Sequence, residues 1–255
     1  MNNRTIAGVA TRGVQPKTFV LVHGAYHGAW CWKDVAQRLR ALEHEVYTPT
    51  LTGLGERSHL LAIRPTLETF IEDVAQVIRY EDLTDVILVG HSFAGAVVSA
   101  LADRIPDRLA HLVYLDAQVL LSGQAPADTA PAAVIDTYKE RAQASGNLSI
   151  QPPPVEAFGI VDPAMTQWVR DRVTPHPYQT YFDRLELKHP LGNGLPATYI
   201  AVTAPLFPNT AHSRQVAREQ PGWNYLEIPT GHDAMLLMPE ELANMLHGLD
   251  KTNDT

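Results

Sequence analysis

The sequence predicts an α/β protein in which a mainly parallel sheet of six strands is flanked by helices. Six short runs rich in Val, Ile, Leu and Tyr recur along the chain, at residues 18–22, 45–48, 85–89, 111–115, 198–202 and 224–228. Most of these runs are continuous rather than alternating, which is typical of strands buried on both faces. Segments with helical periodicity, residues 30–43 and 66–80, lie between some of them. This alternation of strand and helix favours right-handed crossovers and a parallel sheet.

The alternation stops between the fourth and fifth strands. Ten of the 19 prolines fall in residues 126–196, together with several aromatic residues and without a strand-like run. Because a structureless loop of this length is uncommon in a compact domain, we expect a helical cap there; a long irregular loop is the alternative. The expected organisation is a flexible tail over residues 1–16, a core over 17–122 and 192–255, and a cap, or lid, over 123–191.

Charge and composition exclude several classes of function. The 255 residues carry a formal net charge of −8, which argues against nucleic acid or an anionic membrane surface as the main partner, since both are met with clustered Lys and Arg. Cys31 is the single cysteine, so no intrachain disulfide forms. The N-terminus lacks the apolar segment of a signal peptide. We therefore expect a cytoplasmic protein that acts on a small molecule; whether it forms a homodimer is left open.

The most specific motif lies in residues 86–98. A buried strand is followed by residues 90–95, which read Gly-His-Ser-Phe-Ala-Gly, and then by a helix-compatible run. A serine on a tight strand-to-helix turn needs small neighbours, and Ala94 stands where the usual motif has glycine. Ser92 is the candidate nucleophile, and the Phe93 N–H at the helix start is a candidate oxyanion donor. The alternative is a Gly/Ser-rich turn without chemistry.

Two other strands end in residues that suit the same chemistry. Residues 19–25 run from a strand into a loop of small residues, which can bring the Ala25 N–H to the acyl oxygen of a substrate. Residues 225–233 form a strand that ends in Gly-His. His232 therefore lies at the same sheet edge as Ser92, and a base histidine that follows the serine in the chain is a known order of serine hydrolases.

No metal or organic cofactor is expected. His23 and His27 are spaced four residues apart, but they follow a strand rather than share a helix face, so we interpret His23 as a loop-packing residue. Residues 53–58 begin like a dinucleotide-binding motif, yet Ser58 replaces its last glycine.

These motifs resemble those of α/β-hydrolases, in the group of plant hydroxynitrile lyases and salicylate- or jasmonate-type methyl esterases. The resemblance covers residues 17–120 and 196–250, through motifs at residues 22–32, 51–55, 90–95 and 231–235. It implies the α/β-hydrolase fold, with Ser92 as nucleophile, His232 as base, and the N–H groups of Ala25 and Phe93 as oxyanion hole. We expect the substrate to contact Tyr26, His91, Trp168, Tyr178 and Phe182.

The chain departs from this group at the third member of the triad. In the related esterases the acid follows the strand at residues 198–202, in a Thr-x-Asp pattern. Residues 202–209 contain no carboxylate here. Asp116 ends the strand that follows the nucleophile's strand, so it emerges at the same sheet edge and is our candidate acid. A carboxylate from the cap, or no acid partner, are the alternatives.

The resemblance implies a serine hydrolase that cleaves a carboxylic ester through an acyl-enzyme. The aromatic and proline-rich cap disfavours charged substrates, so we expect a small to medium hydrophobic ester. One alternative is a hydroxynitrile lyase-type C–C lyase. The lyases of this group carry a lysine after the base histidine, whereas Asp233 stands here, and its charge opposes a developing cyanide. The other alternative is a non-catalytic, receptor-like protein that keeps the ligand pocket.

Overall fold

The main sheet contains six strands, in a computed structural model that describes residues 15–249. They are β1 (Thr18–Val22), β2 (Glu45–Tyr47), β3 (Val86–His91), β4 (Leu109–Leu115), β7 (Ala197–Val202) and β8 (Trp223–Ile228). Two further strands, β5 (Ser149–Ile150) and β6 (His176–Pro177), form a separate pair. Their order is β2-β1-β3-β4-β7-β8, and all neighbours pair in parallel. The predicted parallel sheet is confirmed, because each predicted run coincides with a strand to within two residues.

Helices connect the strands and cover both faces of the sheet. They are α1 (Lys33–Ala41), α2 (Leu67–Tyr80), α3 (Gly95–Arg104), α4 (Ala132–Gln143), α5 (Pro163–Arg170), α6 (Ala211–Glu219), α7 (Ala234–Leu237) and α8 (Pro239–His247). The start of α2 is fixed by Thr66, whose hydroxyl accepts a hydrogen bond from the Thr69 N–H. Such a cap satisfies one of the unpaired N–H groups at the start of a helix.

Alternate residues of each central strand enter two separate hydrophobic clusters. In β1, Val20 and Val22 pack with residues of α2 and α3, whereas Phe19 and Leu21 pack with residues of α1 and α8. This is the two-residue period of a strand. Because both faces are covered, the strands read as continuous apolar runs, which is the pattern that predicted them.

The chain between β4 and β7 contains residues 123–191, which we call the cap segment. It holds α4, α5, short helical turns and one antiparallel pair, β5 (Ser149–Ile150) with β6 (His176–Pro177). The pair was not predicted, because two-residue strands show no alternation and one of these contains a proline. Backbone bonds tie the segment to the loops after β1 and β8, since the Thr174 N–H donates to the Tyr26 carbonyl and the Asp233 N–H donates to the Phe158 carbonyl.

The tail predicted over residues 1–16 lies outside the described range except for residues 15 and 16, which are exposed. Among residues 15–249, no helix is both long enough and apolar enough to cross a membrane. The described part of the chain thus gives a sheet whose strand ends meet at one edge, under the cap segment.

Candidate active site

Ser92 lies on a sharp turn between β3 and α3. Its φ is +55°, a left-handed backbone conformation that side-chain-bearing residues rarely adopt and that costs about 1–3 kcal/mol. The turn is possible because its neighbours are small. A Cβ on Gly90 would lie 2.5 Å from Val98 Cγ2, and a Cβ on Gly95 would lie 2.0 Å from the Gln118 carbonyl oxygen. The methyl group of Ala94 is buried and is accommodated where the usual motif has glycine. Gly90 and Gly95, in contrast, have no room for a side chain.

His232 links Ser92 to Asp116. The His232 Nε2 lies 2.9 Å from Ser92 Oγ, and its Nδ1 lies 2.7 Å from Asp116 Oδ2. Both His232 and Asp116 are buried. With Asp116 ionised, Nδ1 donates to the carboxylate and Nε2 is left to accept the Ser92 hydroxyl proton. This is the geometry of a nucleophile, a base and an orienting acid.

The second oxygen of Asp116 is also bound. Asp116 Oδ1 accepts hydrogen bonds from Thr210 Oγ1 at 2.8 Å and from Arg214 Nη1 at 3.2 Å. The Arg214 side chain is only 12% exposed and also donates to the Phe207 carbonyl. A buried carboxylate is costly unless it is paired and hydrogen-bonded. Thr210 and Arg214 therefore stabilise the charge of Asp116 while its other oxygen faces His232.

The loop after β7 contributes a ring where the related esterases have the acid. The Phe207 ring stacks on the His232 imidazole, with ring centroids 3.7 Å apart and an interplanar angle of 17°. The ring of His91 lies 4.5 Å from that of His232. The base is thus held between aromatic rings as well as by Asp116.

Two backbone N–H groups beside Ser92 are free. Neither the Ala25 N–H nor the Phe93 N–H donates a hydrogen bond to any described residue, and both residues line the cavity above Ser92. The loop after β1 touches the serine directly, because a Cβ on Gly24 would lie 2.8 Å from Ser92 Cβ. Free donors at this place suit the oxyanion of a tetrahedral intermediate.

His23 fixes the peptide that carries the Ala25 N–H. Its Nδ1 donates to the Gly24 carbonyl, and its Nε2 accepts from the Leu51 N–H. Burial lowers the pKa of His23 to about 3, so the ring is neutral and keeps this tautomer. In a trans peptide the C=O and N–H point in opposite directions. The Ala25 N–H is thus held on the side away from His23. His23 therefore does more than pack in the loop, because it also orients the Gly24–Ala25 peptide.

A second buried His–Asp pair lies behind this loop. His27 Nδ1 donates to the Ala25 carbonyl, and its Nε2 lies 3.0 Å from Asp233 Oδ2. Burial lowers the pKa of His27, but the charge of Asp233 and the hydrogen bonds outweigh it and the pKa is raised. Asp233 directly follows His232, so the His27–Asp233 pair joins the loop after β8 to the loop after β1. Within residues 15–249, no group of three or more His, Cys, Asp and Glu side chains is placed to hold a metal ion.

A cavity of about 390 Å³ opens above Ser92. Tyr26 and His91 line it, as the sequence predicted for substrate contacts. Burial lowers the pKa of His91 well below its usual value; the ring is neutral and donates through Nε2 to the His232 carbonyl. His91 therefore both lines the cavity and holds the backbone of His232 in place.

Trp168, Tyr178 and Phe182, which the sequence also predicted as substrate contacts, do not line this cavity. Trp168 packs edge-on against Trp30, and the Arg172 guanidinium covers its ring on the outer surface. Tyr178 and Phe182 pack on each other, with ring centroids 4.6 Å apart. These rings are one helical turn apart, so they contact each other rather than the site. The cavity is lined instead by the neighbouring Tyr181 and by Phe158.

Sequence reasoning missed a wall of the cavity that α4 provides. Val134, Thr137, Tyr138 and Arg141 all line it, and their spacing places them on one face of the helix. That spacing is the signal that could have found them. Thr210 and Arg214 had no such signal, because they lie 94 and 98 residues from Asp116 in the chain.

Comparison with known proteins agrees with this geometry. The family model described as "Alpha/beta hydrolase family" matches residues 19–245. A carbendazim hydrolyzing esterase from Nocardioides sp. (strain SG-4G) is 39% identical over 243 residues, which cover 91% of this chain and 98% of that protein. Methylesterase 2 of Arabidopsis thaliana is 38% identical over 101 residues, which cover 39% of this chain and 38% of that protein.

A solved structure extends the likeness over the whole fold. It belongs to an extracellular alpha/beta-hydrolase from a Paenibacillus species, described as sharing structural and functional homology with tobacco salicylic acid binding protein 2. The TM-score is 0.81 and the identity 29%, over 91% of this chain and 98% of that one. Because the family model matches most of the chain, and the parallel sheet and the Ser92 turn agree with it, the chain belongs to the alpha/beta hydrolase family.

Proposed function

We propose that this protein is a carboxylesterase-type serine hydrolase that cleaves esters of small to medium hydrophobic substrates. The observation that carries the proposal is the unbroken chain of contacts from Ser92 Oγ through His232 to Asp116, at 2.9 and 2.7 Å. The named relatives support it, since they are an esterase and a methylesterase. They also make a methyl ester or methyl carbamate the first substrate to test.

The reaction follows from the positions of these groups. Ser92 Oγ attacks the ester carbonyl while His232 Nε2 takes its proton, and Asp116 stabilises the imidazolium that forms. The N–H groups of Ala25 and Phe93 receive the negative charge on the former carbonyl oxygen. His232 then returns the proton to the departing alcohol and leaves an acyl group on Ser92. Water, deprotonated by His232, attacks this acyl-enzyme and releases the acid.

The cap segment supplies the remaining walls of the cavity and, in this proposal, serves as the lid that selects the substrate. Tyr138, Phe158 and Tyr181 of the segment face the cavity above Ser92. Their rings favour an apolar body in the substrate.

The lyase alternative is not favoured. Asp233 replaces the lysine of the hydroxynitrile lyases, and it is buried against His27 rather than among the cavity-lining residues. No cation is therefore offered at that position to a departing cyanide. The receptor-like alternative is also not favoured, since the contacts from serine to acid are complete and the oxyanion donors are free.

A panel of methyl, aryl and lactone substrates, with carbendazim included, tests the proposal. Wild-type protein should hydrolyse at least one ester, and Ser92→Ala should lose at least ~10³-fold in kcat. Ser58→Ala, an exposed serine away from the cavity, is the matched control and should keep wild-type rates. Absence of hydrolysis across the panel, or equal rates in Ser92→Ala and wild type, would overturn the proposal.

A further inference from the structure

The wall of the cavity formed by α4 carries a positive charge that the mechanism does not use. Arg141 lines the cavity and is half-buried. Among the described residues its guanidinium has no hydrogen-bond or ion-pair partner. Arginine is rarely buried without a partner, because removing a guanidinium from water is costly. Arg141 thus presents to the cavity a cation that no protein group of the described residues pairs with, and a ligand group of opposite charge could bind it there.

Two tyrosines line the same cavity as this charge: Tyr26, and Tyr138, which precedes Arg141 by three residues on α4. Burial raises the pKa of Tyr26 and of Tyr138, and the charge of Arg141 opposes the rise in both. Both phenols are neutral at pH 7 and remain hydrogen-bond donors.

The buried hydroxyl of Tyr26 lies near the phenols of Tyr138 and Tyr181 but forms a well-aligned hydrogen bond with neither. Tyr26 is 3% exposed and lines the cavity. A buried polar group without a hydrogen bond destabilises the folded protein. The guanidinium and this hydroxyl thus offer donors to one region of the cavity, and the missing complement is an anionic acceptor.

We propose that Arg141, with the hydroxyls of Tyr26 and Tyr138, binds a carboxylate at the end of the substrate remote from the scissile ester. The substrate class is then the monoester of a small dicarboxylic acid with an apolar body. This inference rests on the proposed esterase function and adds one carboxylate to the hydrophobic substrate proposed there. An arginine and a carboxylate match in charge and in the geometry of their hydrogen bonds.

Two esters of the same size and shape test the proposal. Monomethyl terephthalate carries a carboxylate opposite its methyl ester, and methyl 4-carbamoylbenzoate carries a neutral amide there. Each kcat/KM is divided by the rate of that ester with hydroxide, which removes the difference in intrinsic reactivity. Wild-type protein should prefer the carboxylate by roughly 10- to 100-fold, the usual worth of a charged hydrogen bond.

Variants of the arginine show whether the preference comes from this site. Arg141→Met should abolish the preference, Arg141→Lys should keep part of it, and Tyr138→Phe should reduce it several-fold. Arg172→Met is the matched control in the same cap segment, because Arg172 stacks on Trp168 outside the cavity. Its preference should equal that of the wild type.

The outcomes separate this inference from the esterase function. Hydrolysis of both esters by wild type without preference, or an equal loss on both esters in Arg141→Met, would overturn the carboxylate site and leave the esterase standing. If neither ester is hydrolysed, titration calorimetry with terephthalate and with terephthalamide decides directly. Tighter binding of terephthalate that Arg141→Lys weakens supports the site, and equal binding of the two overturns it.

Discussion

His232 Nδ1 lies 2.7 Å from Asp116 Oδ2, although 116 residues separate them in the chain. The contact forms because β4 and β8 run in the same direction and end at the same edge of the sheet. Asp116 has a φ of +37°, a conformation that Asp and Asn tolerate better than most residues. The acid thus follows β4, and the loop after β7 is free to place Phe207 on the imidazole ring.

Replacement of Asp116 by Asn should leave the fold intact and lower kcat by ~10²–10⁴-fold, because the amide no longer fixes the reactive tautomer of His232 or stabilises its charge. Asn accepts the same backbone conformation. Ester turnover and circular dichroism of Asp116→Asn are compared with those of Asp107→Asn, an exposed control before β4. Unchanged turnover in the first variant would show that Asp116 is not the acid.

Removal of Arg214 should lower the free energy of unfolding by roughly 1.5–3 kcal/mol, since Asp116 Oδ1 loses a charged donor in a buried place. Arg218→Met on the same helix is the control. Arg218 pairs with Glu227 at the surface, where an ion pair contributes about 0–1 kcal/mol. Urea unfolding measures both. Equal losses of unfolding free energy in Arg214→Met and Arg218→Met would mean that the buried Arg214–Asp116 contact stabilises the protein no more than a surface ion pair does.

A methyl group at Gly95 should destabilise the protein by at least about 1–3 kcal/mol, because its Cβ would meet the Gln118 carbonyl at 2.0 Å. Gly248→Ala is the control, since a Cβ there has its nearest contact at 3.4 Å. Thermal unfolding reports the difference. A Gly95→Ala variant as stable as Gly248→Ala would contradict the close approach of α3 to the chain after β4.

Stability should fall as the pH drops below about 6.5. Burial lowers the pKa of His23 to about 3 and of His111 to about 4, and lowers those of His91 and His176 well below the usual value. These rings stay neutral in the folded protein but take up protons once unfolded, so acid favours unfolding. Each contributes a slope of about 1.4 kcal/mol per pH unit.

His111 tests this slope, because it belongs to β4, its ring hydrogen-bonds to Thr198 of β7, and it does not line the cavity. Urea unfolding of His111→Gln between pH 6 and pH 4.5 should show a pH slope smaller by about 1 kcal/mol per unit, because the unfolded chain binds nearly one proton more at this position than the folded protein does. His59→Gln, an exposed control, should leave the slope as it is in the wild type. A slope that neither variant changes would mean that His111 does not stay neutral in the folded state.

His27 acts in the opposite direction. Its pKa is lowered by burial but raised overall by Asp233, so its proton stabilises the folded state below about pH 6.5. That contribution is lost as the pH rises through the folded-state pKa. The free energy of unfolding is therefore expected to be highest near pH 6.5. Below that pH the buried neutral rings favour unfolding, and above it the contribution of the His27 proton is lost.

The sequence was sufficient for the parallel sheet and for the placement of most of the candidate catalytic groups at one sheet edge, because both depend on where strands begin and end. Asp116 was found by this reasoning, from its place after a buried run. The cavity walls were harder. In the proline-rich cap segment nothing in the sequence fixes which of Tyr178, Tyr181 and Phe182 points inward, and the structure shows that it is Tyr181. Contacts such as Arg214 with Asp116 join distant segments and leave no local pattern.

The most direct test of the central claim is the site of covalent labelling by a fluorophosphonate, read by peptide mass spectrometry. The catalytic roles proposed here predict a single adduct on Ser92, its absence in Ser92→Ala, and much slower formation in Asp116→Asn. They also predict that ester hydrolysis disappears in step with labelling. An adduct on another residue, with ester hydrolysis retained in Ser92→Ala, would contradict the account.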